Sequence, residues 1–216
     1  MNLELHGQER NKLILANLEF LKDKAFVEFG VCHGGSFKNF YELYKQHELP
    51  INFMGFDSFL GIPEEKNDPN SIWYEGQFDR RGVSPRNGPS NWADLQHGIG
   101  APIEDVQIID GWFKDTLNET SAQLLGQKIG IAHIDCDTYT STLECWQWMI
   151  ENDLLVNGSL IIYDDWGAHL EANCEPHEVG EGKAHYEIAK KTTFEDLGMY
   201  IIDSSFYEVK MFRVIK

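Results

Sequence analysis

FVEFGVCHGGSF, residues 26–37, runs an apolar stretch into a glycine-rich turn and out into a helical pattern. Phe26, Val27 and Phe29 read as a short buried strand, and SFKNFYELYKQH, from Ser36, resumes helical periodicity. Glycines at a strand-to-helix turn let the main chain approach a ligand, and the helix start offers free N–H groups. The spacing is not the GxGxxG of dinucleotide sites. Glu28, an acid inside the motif, is a poor neighbour for a pyrophosphate and a better one for a cationic or zwitterionic ligand.

The same alternation continues on both sides. HGQERNKLILANLEFLKD, residues 6–23, reads as an amphipathic helix before the strand. INFMGFDSF (51–59), VQIID (106–110), IGIAHIDCD (129–137) and GSLIIYDDW (158–166) read as further strands, the last with Gly158 as its turn-in. Helices are expected through Lys114 to Leu125, over STLECWQWMIEND (141–153) and from about Gly182 to Leu197. MYIID (199–203) and FYEVKMFRVI (206–215) can pair as a terminal hairpin. Seven strands with an antiparallel last one fit a doubly wound α/β sheet, in a single domain over residues 1–216. Residues 60–105, rich in Gly, Pro, Asn and Trp, are too long for an idle loop and are expected to form a lid or substrate-binding insertion. Trp73, Tyr74 and Phe78 are its candidates for folding over a ligand.

Composition narrows the function. No apolar run approaches the roughly 18 residues of a membrane span, and Met1 to Arg10 carries no apolar targeting segment. The net charge of −17 repels phosphate backbones, which disfavours nucleic acid, yet tolerates cations and metal ions. Cys32, Cys136, Cys145 and Cys174 show neither CxxC pairing nor zinc spacing, as expected of reduced thiols in a cytoplasmic protein.

Acidic residues close several strands. Asp57 ends the second, where a carboxylate commonly accepts hydrogen bonds from ribose hydroxyls. Asp135 and Asp137 in IDCD, with Asp164 and Asp165 in YDDW, fall at the ends of two more, at the crevice where ligands sit in open α/β sheets. Along an extended strand Asp135 and Asp137 point to one side and Cys136 to the other. Four converging carboxylates repel one another unless a cation is bound or some are protonated. An all-oxygen set without His or Cys suits a hard ion such as Mg²⁺. The alternative is a solvated acidic loop or a set of helix caps. His33 is left without a role, and His169, His177 and His185 are more often packing or surface residues than bases. Trp146 and Trp148, two apart on a helix, cannot share a face, and at least one belongs in the core.

EFGVCHGGS resembles motif I of class I S-adenosylmethionine-dependent methyltransferases. More narrowly, FVEFGVCHGGSF, GFDSFLGIPE, DGWFKDTL, IDCDTYTST and IIYDDW, in that order, resemble the macrocin O-methyltransferase (TylF-type) family, as does GEGKAHYEI (180–188). The resemblance implies a Rossmann-like methyltransferase sheet with S-adenosyl-L-methionine as cofactor. It implies that Glu28, Gly30, Gly34 and Ser36 surround the methionine and ribose portion, that Asp57 and Ser58 bind ribose, and that Asp110, Gly111 and Trp112 lie near the adenine. Carried over position by position, the family's metal ligands fall on Asp135, Asp164 and Asp165, for a divalent ion such as Mg²⁺, and its general base on Asp137.

The leading expectation is a metal-dependent O-methyltransferase acting on a hydroxyl of a sugar, glycoside or related small molecule. A catechol or phenol acceptor is the nearest alternative, since two adjacent hydroxyls can chelate one ion. A nicotinamide-dependent oxidoreductase lacks its GxGxxG here, and a non-catalytic nucleoside-binding module leaves four aspartates unexplained. The expected partner is the small-molecule hydroxyl acceptor, not nucleic acid or a membrane; assembly into a homo-oligomer stays open.

Overall fold

The fold was described from a computed structural model, in residues 3–79, 106–201 and 208–215. Two helices, α1 (Leu3–Ala16) and α2 (Leu18–Leu21), precede β1 (Ala25–Phe29), and α3 (Gly35–Gln46) leads to β2 (Phe53–Asp57). Then come β3 (Val106–Asp110), α4 (Phe113–Thr116), α5 (Glu119–Leu125), β4 (Ile129–Ile134), α6 (Tyr139–Glu151) and β5 (Leu155–Tyr163). A short α7 (Ala168–Ala172) and a 3₁₀ turn (Pro176–Glu178) precede α8 (Gly180–Ile188), β6 (Thr193–Ile201) and β7 (Glu208–Ile215).

The strand order is β3-β2-β1-β4-β5-β7-β6. β1 to β5 pair in parallel, and β7 pairs antiparallel with both β5 and β6. The order reverses between β1 and β4, so the crevice at the carboxyl ends of these two strands is the place for a ligand.

β1 and β4 are buried along their whole length, which explains why they read as continuous apolar runs rather than alternating ones. Each face of the sheet has its own core. On one, Leu13, Ile14, Phe37, Phe40 and Tyr44 from α1 and α3 cover Phe26, Phe53 and Ile131. Phe26 and Phe53 stack there at 4.5 Å, one of several ring pairs worth about 0.5–1.5 kcal/mol each beyond burial. On the other face, Trp146, Trp148 and Met149 from α6 cover Phe29, Phe56 and Ile134. Both tryptophans are therefore core, in the same cluster. Trp146 donates to the Tyr163 hydroxyl at 2.9 Å, and Trp148 donates to the Asn118 carbonyl at 2.9 Å.

Four expectations need correction. The first helix breaks at Asn17, whose side-chain amide donates to the Leu13 carbonyl, a bond that competes with continued helix. The stretch from Lys114 to Leu125 is two helices, because Asn118 turns out at φ −142° to cap α5, accepting the Ser121 N–H. Gly158 does not start its strand but lies inside β5, at φ +99°, where the pairing with β4 shifts register and a Cβ would press on the Phe20 ring. The helix expected as far as Leu197 ends at Ile188, and residues from Thr193 belong to β6. Phe194 supplies the reason, packing on Trp146, His185 and Phe212 from the strand. Among the described residues, no helix is long and apolar enough to cross a membrane.

Candidate active site

A cavity of about 770 Å³ opens at the carboxyl ends of β1, β2, β4 and β5, within the size range of small-molecule sites. Its wall on the β1–β2 side is the glycine turn. Gly30 has φ +87°, and a Cβ there would lie 1.7 Å from the Asp135 carbonyl oxygen, so main chain from β1 and β4 meets where only glycine fits. Gly34, also left-handed, is the N-cap of α3. Asp57 ties the turn down: Oδ2 accepts the Cys32 N–H and Oδ1 the Phe59 N–H, both at 2.6 Å. Burial nonetheless pushes the Asp57 carboxyl up, against the pull of these N–H groups.

Of the cofactor residues expected from sequence, Gly30, Asp57, Ser58, Gly111 and Trp112 line the cavity, and His33 lines it too. Glu28, Gly34, Ser36 and Asp110 are not part of its lining. Glu28 is fully buried beneath the turn and accepts the Ser36 hydroxyl at 2.7 Å, so these two side chains face each other. Asp110 is exposed at the end of β3, beside Asp57 in register.

The β4–β5 side is carboxylate. Asp135, Asp137, Asp164 and Asp165 all line the cavity. Strand alternation does not place Asp137, because β4 ends at Ile134 and Asp137 is left-handed at φ +66°. Cys32 and Phe78, also on the wall, have φ of +49° and +65°, so strained backbone gathers at this cavity. Burial first, then the charges of Asp164, Asp165, Glu28 and Asp137, hold Asp135 well above the usual carboxylate range. Burial with Asp164 and Asp57 raises Asp137 to about 7. Asp165 is likewise well above, through burial and then Asp137, Glu181 and Asp164.

Three groups behind this wall lie outside the candidate site residues, although Glu181 falls within GEGKAHYEI, and they support it. The Arg10 guanidinium, from α1, lies 3.6 Å from Asp164 Oδ1 and over the Phe40 ring. His133, wholly buried on β4, hydrogen-bonds through Nε2 to Asp164 Oδ1 at 3.3 Å, and its Nδ1 lies 3.3 Å from Glu28 Oε2. Burial pushes the imidazole down, but the two carboxylates outweigh it and hold His133 above its usual value. Glu181, at the start of α8, accepts main-chain N–H groups from both aspartate loops. Among the described residues, Glu28, His133 and Asp135 also place three ligand atoms within 4.8 Å of one another, although of these only Asp135 reaches the cavity.

The described part of the insertion, residues 60–79, forms the outer wall. Trp73 and Phe78 line the cavity with ring centres 6.0 Å apart, Phe78 at the exposed rim, whereas Tyr74 is exposed and outside the lining. This part is fastened rather than loose. Glu65 accepts from the Thr140 N–H and hydroxyl, each at 2.8 Å, and Asp68 accepts the Gly180 N–H at 2.7 Å. The remainder of the expected lid, residues 80–105, lies outside the described residues. His169, His177 and His185 are absent from the lining; His185 is core, stacked on Phe212 at 3.9 Å.

Comparison with known proteins agrees with this geometry. The calicheamicin methyltransferase CalS11 superposes with a TM-score of 0.68 at 20% identity, covering 97% of this chain and 77% of that one. The O-methyltransferase NovP gives 0.66 at 18% identity, over 98% and 80%. TomG, an O-methyltransferase of Streptomyces achromogenes solved with S-adenosylmethionine, gives 0.59 at 13%, over 98% and 80%. At these identities the likeness establishes the fold, that of class I methyltransferases. No curated protein matches by sequence. The macrocin-O-methyltransferase (TylF) family model, however, matches residues 22–178, from before β1 to the turn that leads into α8. The chain thus belongs to the macrocin O-methyltransferase (TylF) family and is an S-adenosylmethionine-dependent O-methyltransferase.

Proposed function

We propose that the chain methylates a hydroxyl of a sugar, glycoside or related small molecule, assisted by a divalent cation, Mg²⁺ being the natural choice. The observation that carries this reading is one cavity with a glycine-turn wall facing four aspartates. Among the described residues, Arg10 and His133 lie against Asp164, and burial together with mutual repulsion holds Asp135 and Asp165 high, so the donor set fits a hard cation. Asp135, Asp164 and Asp165 would hold it. When bound, the ion lowers the pKa of a coordinated hydroxyl and fixes its direction.

The chain's own residues then have distinct tasks. Gly30, Asp57, Ser58, Gly111 and Trp112 bind the methyl donor, with Glu28 and Ser36 holding the turn from beneath. Asp137, raised to about 7, takes the acceptor's proton as the oxygen attacks the sulfonium methyl in line. Trp73 and Phe78 exclude water from the acceptor side. Trp112 and Phe113 add further aromatic surface to the cavity, which suits a flat phenol or catechol as a second reading.

The test is a panel of sugars, glycosides, catechols and phenols incubated with S-adenosylmethionine and read by the mass shift of one methyl group. EDTA is expected to stop turnover and Mg²⁺ to restore it. Full turnover in EDTA sinks the metal role, and methylation confined to phenols selects the second reading.

A further inference from the structure

Glu181 is a wholly buried carboxylate that the chemistry above does not use. It is the second residue of α8, and its two oxygens reach different loops. Oε2 accepts the main-chain N–H of Asp165 at 3.0 Å, and Oε1 that of Cys136 at 3.4 Å. Asp165 follows β5, whereas Cys136 follows β4 and stands between Asp135 and Asp137. One side chain therefore joins the two loops that bear all four aspartates.

Holding a carboxylate there is unfavourable. Among the described residues, no Lys, Arg or His pairs with Glu181, and beyond its burial Asp137 and Asp164 add negative charge around it. A neutral side chain would be cheaper to bury. What a carboxylate supplies and glutamine does not is two acceptor oxygens on opposite sides of one rigid group. The helix start that carries it is itself fixed. Gly180 donates its N–H to buried Asp68, and at φ +52° a Cβ on it would lie 2.9 Å from the Asp137 carbonyl oxygen. Lys183, one turn on, donates to the Asn67 carbonyl at 2.8 Å. α8 thus begins pressed against the loop it holds.

We propose that Glu181 is a positioning residue, whose divided carboxylate sets the spacing between the Asp135–Asp137 loop and the Asp164–Asp165 loop. The inference rests on the metal reading above and deepens it. Substitution by Gln leaves one acceptor oxygen, which stays on the nearer Asp165 N–H, and turns an NH₂ toward the Cys136 N–H. The loop bearing Asp135 and Asp137 is then released.

The experiment measures Mn²⁺ affinity and S-adenosylhomocysteine affinity by calorimetry, kcat and thermal midpoint, in wild type, Glu181→Gln and Ile131→Val. Glu181→Gln is expected to lose about 10- to 100-fold in Mn²⁺ affinity and kcat. Its S-adenosylhomocysteine affinity should fall by less than its Mn²⁺ affinity, because Glu181 contacts neither Gly30 nor Asp57. Ile131→Val, in the core of the opposite sheet face, lowers the midpoint without touching Mn²⁺ affinity. If Glu181→Gln does not fold, Glu181→Met, which also removes the buried charge, is measured in its place. A folded variant with wild-type Mn²⁺ affinity and kcat overturns the proposal, as does a loss no larger than that of Ile131→Val. A wild type that binds no Mn²⁺ and ignores EDTA overturns the metal reading instead, and the variant's kcat then judges Glu181 alone.

Discussion

At the ends of β1 and β2 the cavity is walled by the glycine turn, at Gly30, Cys32 and His33, and by Asp57, which accepts the Cys32 and Phe59 N–H groups. At the ends of β4 and β5 it is walled by carboxylates, with a buried histidine, arginine and glutamate behind them. The first wall is mostly main chain, so it is governed by where glycine allows the backbone to go. The second is built of side-chain carboxyls, so it depends on residue identity, and their burial and mutual repulsion work against the stability of the fold.

If the two walls are separable, they respond differently to substitution. The largest effect is expected from Asp165→Ala: loss of divalent-ion binding and of detectable methyl transfer, with S-adenosylhomocysteine still bound. Calorimetry showing that both ligands are lost together, in a folded protein, breaks the separation.

Asp137→Asn comes next. Metal and cofactor should bind as before while kcat falls by roughly 10²–10⁴, the usual effect of removing a general base. Normal turnover would move the proton-accepting task to another group.

Gly30→Ala probes the seam between the walls. Its Cβ meets the Asp135 carbonyl, so thermal or urea unfolding should show a loss of about 1–3 kcal/mol, the scale of overpacking. An unchanged midpoint would mean that the walls do not touch as tightly as they are drawn.

The smallest effect concerns pH. Burial pushes His185 from 6.5 down to about 4, with Asp196 opposing and Lys210 assisting, while the Tyr163 hydroxyl lies 3.1 Å from its Nδ1. Between these values the unfolded chain binds a proton that the folded chain refuses. This stabilising contribution is therefore whole above pH 6.5 and is lost as pH falls toward 4. Asp137 runs the other way: raised to about 7, it favours the folded, metal-free chain less as pH rises from about 4 to 7. Subtracting His185→Gln from wild type isolates the histidine. The difference should shrink by about 1–2 kcal/mol between pH 7 and 5 in thermal melts. A flat difference removes His185 from the account.

What was legible in the sequence follows the same division. The glycine turn, IDCD and YDDW are local patterns, and each fell at a strand end of the sheet they were expected to close. Arg10, His133 and Glu181 act across long separations: Arg10 meets Asp164, and Glu181 meets Cys136. No spacing along the chain announces such pairs, although GEGKAHYEI marked the segment that holds Glu181. The helix read through Leu197 failed for a tertiary reason, since Phe194 finds its partners only once β7 lies beside β6. Ser36 was expected at the ligand and points instead to Glu28, a choice made by burial rather than by motif.

β7 is the last strand in chain order, yet it lies between β5 and β6 and pairs with β5 from Leu160 to Tyr163, directly before Asp164. During synthesis the ribosome therefore exposes the glycine turn early and the aspartates later, while the strand that flanks β5 is still to come. Pairing over such sequence distances is slow, and an unpaired β5 edge is sticky meanwhile. A growing chain of this protein can shape its glycine-turn wall well before its carboxylate wall is flanked. The β5 edge beside Asp164 is covered only when residues 208–215 have left the exit tunnel and closed the sheet.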